Sequence, residues 1–122
     1  MKSTPSPLFK SGGLAALIVG ISLLATPGYA AAAQMVTGEV VDLKCYLDHG
    51  ARGDKHAECA SKCIAGGGPV GLLTADKQLY LVVGGKSLSP QLAPLAGKTL
   101  TLTGKLAERN GMKMIENAEI QK

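Results

Sequence analysis

The sequence is poor in the residues that build a nucleic-acid-binding surface. It has no tryptophan and one phenylalanine, and of its three tyrosines only Tyr46 and Tyr80 lie beyond the first 33 residues. Stacking on unpaired bases needs several aromatic side chains. The excess of positive charge is also small beyond residue 33, where 11 basic residues face 9 acidic ones. These two shortages exclude nucleic acid as the expected partner.

The first 33 residues have the pattern of an export signal. They contain Lys2 and Lys10 but no acidic residue, and a 12-residue apolar run over 14–25 precedes small alanines at 30–33. That order is typical of a secretory signal peptide, and the run is shorter than the roughly 20 residues of a membrane-spanning helix. We therefore expect a signal peptide over 1–33 and a periplasmic or secreted domain over 34–122, with no stable membrane anchor. An N-terminal anchor that is never cleaved is the alternative.

The rest of the chain alternates short apolar segments with turn residues. Strands are predicted over 35–43, 70–74, 78–83 and 99–108. Asn110-Gly111 predicts a type I′ turn into a last strand. Between the third and fourth strands, Ser89 is the expected N-cap of a short helix that has Pro90 at its first position. On the last strand one face is expected to carry the apolar residues, namely Met112, Met114, Ala118 and Ile120.

Five strands with a helix after the third are the order of a small OB-type barrel, and Gly104 within the fourth strand predicts a bulge or bend. The segment 92–104, Leu-Ala-Pro-Leu-Ala-Gly-Lys-Thr-Leu-Thr-Leu-Thr-Gly, resembles the small periplasmic OB-fold proteins of bacteria. The resemblance covers the barrel strands. It implies a mainly β fold and a compartment but no substrate, because OB folds host many unrelated functions.

The insertion between the first two strands, residues 45–69, holds all three cysteines and both histidines. A helix is predicted over 55–65, with Asp54 as its N-cap. On that helix His56, Cys59 and Cys63 lie at i, i+3 and i+7, within an arc of about 60°. Cys45, expected at the end of the first strand, would complete a set of three sulfurs and one nitrogen.

Three cysteines and one histidine are an established tetrahedral site for zinc, and thiolates also bind copper or iron. We therefore expect a metal ion of one of these three kinds on Cys45, His56, Cys59 and Cys63. His49 is a substitute nitrogen donor or a neighbour of the ligands. A shell closed by four protein ligands leaves no open position for hydrolysis, so a structural, electron-transfer or metal-handling accessory is expected rather than an enzyme.

Disulfide formation is the alternative, because exported chains meet an oxidising compartment. A Cys45–Cys63 or Cys45–Cys59 bridge would leave one thiol free. The protein would then be an OB-like module that binds a small molecule, a glycan or a periplasmic partner protein, or a redox sensor that uses the free thiol. Met112 and Met114 are expected in the core rather than as copper ligands.

Overall fold

A computed structural model describes residues 32–122. The predicted signal peptide lies outside the described residues except for Ala32 and Ala33, which precede the first strand. None of the helices within 32–122 is long and apolar enough to cross a membrane. The regular elements are β1 (Gln34–Asp42), α1 (Leu43–His49), α2 (Asp54–Ala65), β2 (Val70–Leu73), β3 (Leu79–Val82), α3 (Leu88–Leu92), a 3₁₀ turn (Ala93–Leu95), β4 (Thr99–Arg109) and β5 (Met112–Ile120).

The five strands close into a barrel in the order β1-β2-β3-β5-β4, and β4 pairs again with β1. The neighbouring strands are antiparallel except β3 and β5, which run parallel. This closed barrel is compatible with an OB-like fold. The predicted fold class is confirmed, since a helical insertion separates β1 from β2 and a short helix separates β3 from β4. Fully buried side chains fill the interior, among them Val40, Leu72, Leu92, Leu102 and Ile115.

The first strand begins and ends one residue earlier than predicted, and a helix that was not predicted follows it. The strand ends at Asp42, whose Oδ1 accepts hydrogen bonds from the amides of Lys44 (3.0 Å) and Cys45 (3.4 Å) and so caps α1. Gly50, with φ 72°, ends the helix and donates its N–H to the Tyr46 carbonyl at 2.8 Å. An aspartate before and a glycine after a short segment are ordinary helix limits. Cys45 therefore lies on a helix, not at the end of a strand.

The predicted N-caps of the other helices are wrong by one or two residues. Gly53 occupies the cap position of α2, and Asp54 is the first helical residue. A residue of β1 holds the start of α2 instead: the Gly53 N–H donates a hydrogen bond to Glu39 Oε2 at 3.0 Å. In α3 the cap position belongs to Ser87 rather than Ser89, and neither helix has a side-chain capping hydrogen bond.

The turn at Asn110-Gly111 is confirmed, with φ values of 51° and 83°, as a type I′ turn requires. A bulge is present at the predicted level of the fourth strand, but its extra residue lies on β5, opposite Gly104, where the register shifts between Thr103 and Lys105. A Cβ at Gly104 would come within 2.5 Å of Ile115 Cγ2, so the close approach of β5 requires glycine here.

The predicted inner face of β5 is wrong for its first half. Met112 is 66% exposed, whereas Ile115 is fully buried. Opposite Gly104 the strand carries one extra residue, and Asn117 there has φ 51°. Such a bulge shifts the inward–outward alternation of the side chains by one residue. The residues that face the core before the bulge are therefore not in step with those that face it after the bulge. Met112 and Met114 instead line an outward groove of about 380 Å³.

Candidate functional site

Two helices of the insertion carry the thiols to one end of the barrel. Cys45 lies in the first half of α1, and Cys59 and Cys63 lie on α2. Each cysteine of α2 is followed by a buried residue, Ala60 (8% exposed) and Ile64 (0%), which belong to the barrel core. Because these apolar neighbours hold α2 against the barrel, the two thiols border its buried face. The predicted helical stripe is therefore present.

A small pocket of about 60 Å³ lies between the two helices and the end of β1. The rings of His49 and His56 lie edge to face across it, with centroids 6.1 Å apart. Cys63 is not part of its wall, but it interacts with Asp42 and Cys59. The side chains of the wall that can bind a metal are Asp42, Cys45, His49, His56 and Cys59. The fold thus brings Cys45, His56 and Cys59 of the predicted site to one pocket, with Cys63 outside its wall.

Asp42 is the member of the site that the sequence analysis missed. It is 3% exposed and is the one buried charged residue of the part of the chain that the structure describes. Burial disfavours its charged form, but hydrogen bonds from the thiols of Cys45 and Cys63 and from the capping amides outweigh this and lower its pKa. The available signal was its position, between a buried strand and a helix that contains a cysteine.

The same interactions raise the pKa of the two thiols. Hydrogen bonding to Asp42, followed by partial burial and the negative charge of the carboxylate, raises the pKa of Cys45. For Cys63 these causes raise the pKa to about 11. The carboxylate favours the protonated thiol because a thiolate would place a second negative charge beside it. Both sulfurs are therefore held as thiols at neutral pH.

The predicted disulfides are absent, since all three cysteines are free. One cysteine pair is 4.3 Å apart and unbonded, about twice the S–S bond length of ~2.05 Å. Across residues 32–122, no group of three histidine, cysteine, aspartate or glutamate side chains is placed so that it could hold a metal ion. His56, Cys59 and Cys63 are exposed, so their side chains can change rotamer without disturbing the core.

The other acidic residues of the two helices lie outside this site. Asp48 pairs with His49 at 3.3 Å, and Glu58 pairs with Lys62 at 2.8 Å. Both carboxylates are highly exposed, at 79% and 86%. Exposed pairs of this kind contribute little to stability. They are solvated charges.

The raised pKa values predict slow alkylation of Cys63 in the reduced, metal-free protein. Only the thiolate reacts, so at pH 8 the rate should be about tenfold to a hundredfold below that of a cysteine in an unfolded peptide. The rate should keep rising until the pH approaches the Cys63 pKa of about 11. Timed alkylation with iodoacetamide and peptide mapping would measure this. Equal rates for Cys63 and the peptide cysteine would contradict the prediction.

Comparison of the chain with protein-family models, with curated proteins and with solved structures gave no match. The function of the site is therefore argued from its residues and their arrangement.

Proposed function

We propose that the protein binds one metal ion through the thiols of Cys45, Cys59 and Cys63. The observation that carries this proposal is the convergence of all three cysteines, both histidines and a buried carboxylate on one end of a small barrel. Sulfur ligands suit zinc, copper or iron. The fourth donor predicted from the sequence is His56, with His49 beside it.

Thiol chemistry is a weaker explanation of the same cluster. A reactive or redox-sensing cysteine has a lowered pKa, because the thiolate is the reacting species. Asp42 instead raises the pKa of both Cys45 and Cys63. A disulfide-stapled binding module would need a bridge, and all three cysteines are free. A metal ion uses every thiol and offsets the negative charge that keeps them protonated.

A metal-handling role is favoured over a structural one. The helix that carries two of the thiols is held to the barrel by Ala60 and Ile64, which pack into the apolar core. The core itself is formed by the strands, α2 and α3 and contains none of the proposed ligands. Folding therefore does not depend on the ion, unlike in a zinc finger. An ion at this exposed position is also accessible to a partner protein.

The predicted export signal over 1–33 and the resemblance to periplasmic OB-fold proteins support a periplasmic or secreted location for this activity. There the ion would also protect the thiols, because a metal-bound thiolate is not available for disulfide formation. A periplasmic partner protein that delivers or receives the ion fits this location. The proposed role is that of a binding accessory rather than an enzyme.

The test is the metal content of the full chain after export in a bacterial host, followed by titration of the reduced protein. We expect one ion per chain by elemental analysis, and protection of all three thiols from alkylation when the ion is bound. Removal of the ion by a chelator should leave the circular dichroism spectrum of a folded barrel, with a moderate loss of thermal stability by mass action.

Two results would contradict the proposal. One is a protein that carries no zinc, copper or iron and whose thiol reactivity is unchanged by adding each of them. The other is a disulfide in the exported protein, detected as a mass lower by two hydrogens together with a single reactive thiol. The second result would support the binding module that the sequence also allows.

A further inference from the structure

We propose, on the basis of the proposed metal-binding function, that Asp42 is the fourth ligand and that the site therefore takes a divalent ion of the zinc class in preference to Cu(I). The sequence pattern places His56 in that role. The structure brings the Asp42 carboxylate against two of the three thiols and so offers a different donor.

The first support is the burial of an unneutralised carboxylate. Asp42 is 3% exposed, and no lysine, arginine or histidine within residues 32–122 forms an ion pair with it. Burying a carboxylate is costly unless it is paired, hydrogen-bonded or bound to a metal. Two amides at 3.0 and 3.4 Å satisfy Oδ1. Oδ2 is then the oxygen that a cation could bind when it displaces the thiol protons beside the carboxylate.

The second support is the charge of the site once its thiols lose their protons. In the metal-free protein the protonated thiols of Cys45 and Cys63 lie beside the carboxylate, and Cys45 shares a pocket with it. A metal ion replaces the thiol protons, so these contacts become repulsions between anions. An ion bound by the carboxylate as well as by the thiolates places a positive charge between these anions. If Asp42 binds the ion, the repulsion between its carboxylate and the thiolates is offset. If Asp42 does not bind the ion, that repulsion remains.

The donor set also selects the ion. Three thiolates and one carboxylate carry four negative charges, and a divalent cation offsets more of them than Cu(I) does. Carboxylate oxygen is an established zinc ligand, whereas Cu(I) prefers sulfur donors. His49 and His56 then lie beside the ligands rather than among them. They face each other at 6.1 Å on the pocket wall.

The experiment compares Asp42→Asn with Asp48→Asn in the full, reduced chain. Asparagine caps helices as well as aspartate does, so the capping of α1 is kept while the charge is lost. Asp48 is an exposed carboxylate on the same helix and is the matched control. Competition with chromophoric chelators under anaerobic conditions would give affinities for Zn²⁺ and for Cu(I) separately. His56→Ala is measured in parallel.

We expect Asp42→Asn to weaken Zn²⁺ binding at least about tenfold and Cu(I) binding by less than about threefold, because only the divalent ion uses the carboxylate. Asp48→Asn should change neither affinity, and His56→Ala should weaken Zn²⁺ binding less than Asp42→Asn. Metal-free Asp42→Asn should stay folded with a modest loss of thermal stability, because a neutral amide replaces the charged acceptor of the two α1 amides. If that variant is unstable, Asp42→Ser keeps a capping side chain and gives a second measurement.

Three outcomes would overturn the assignment of Asp42 while leaving the metal-binding function in place. They are a Zn²⁺ affinity of Asp42→Asn equal to that of Asp48→Asn, an equal loss for Zn²⁺ and Cu(I), and a larger loss of Zn²⁺ affinity in His56→Ala. The equal loss would indicate that Asp42 only positions the helix. A wild-type chain that binds no ion would instead refute the proposed function itself, and the ligand assignment with it.

Discussion

Replacing Cys59 by serine should reduce metal affinity more than about a hundredfold, above the range seen for losing an outer partner of a ligand. Serine has nearly the same size but offers a neutral hydroxyl in place of a soft thiolate. Cys59 is exposed, so the substitution leaves no cavity, and the free energy of unfolding of the metal-free protein should change by less than about 0.5 kcal/mol. Metal competition and thermal melting would measure the two effects.

The matched control is Lys62→Ser, which introduces the same residue at another exposed position of α2. Lys62 forms an exposed ion pair with Glu58, whose loss has a small effect on stability. The control should bind metal like the wild type. A Cys59→Ser protein with unchanged affinity would remove Cys59 from the ligand set. The same unaffected behaviour is expected if Cys45 and Cys63 form a disulfide in the exported protein.

Truncating Ile64 to alanine should destabilise the protein by about 3 kcal/mol, within the usual range for removing a buried aliphatic side chain. Ile64 is fully buried and joins α2 to the barrel core. For a domain of this size, that loss lowers the melting temperature by roughly 10–20 °C. Because Ile64 follows Cys63 directly, a loosened α2 should also weaken metal binding. Denaturant unfolding and thermal melting would measure the loss.

Leu47→Ala is the control for this prediction. It removes an aliphatic side chain of the same size class from α1, at a position that is 67% exposed. The change in unfolding free energy should stay within about 0.5 kcal/mol. If the two variants melted at the same temperature, α2 would not be part of the cooperative core, and the thiols would lie on an independently mobile segment.

The barrel could be predicted from local signals. The alternation of leucine and threonine over 99–103 indicates a half-buried strand, and Asn110-Gly111 admits few conformations other than a type I′ turn. The helical stripe of His56, Cys59 and Cys63 follows from the helical repeat alone. The prediction of which β5 residues face the core was wrong for the first half of the strand. The extra residue near Asn117, which changes the alternation, has no signature in the composition of the strand.

The amino-acid sequence by itself determined the class of the fold, the insertion after the first strand and the concentration of every thiol and imidazole within it. Those features depend on periodicity and turn chemistry, which act between residues close together in the chain. The tertiary structure decided that no pair of thiols is bonded and that the Asp42 carboxylate is buried beside them. These depend on how α1 and α2 meet at the barrel end, where packing rather than local preference sets the distances.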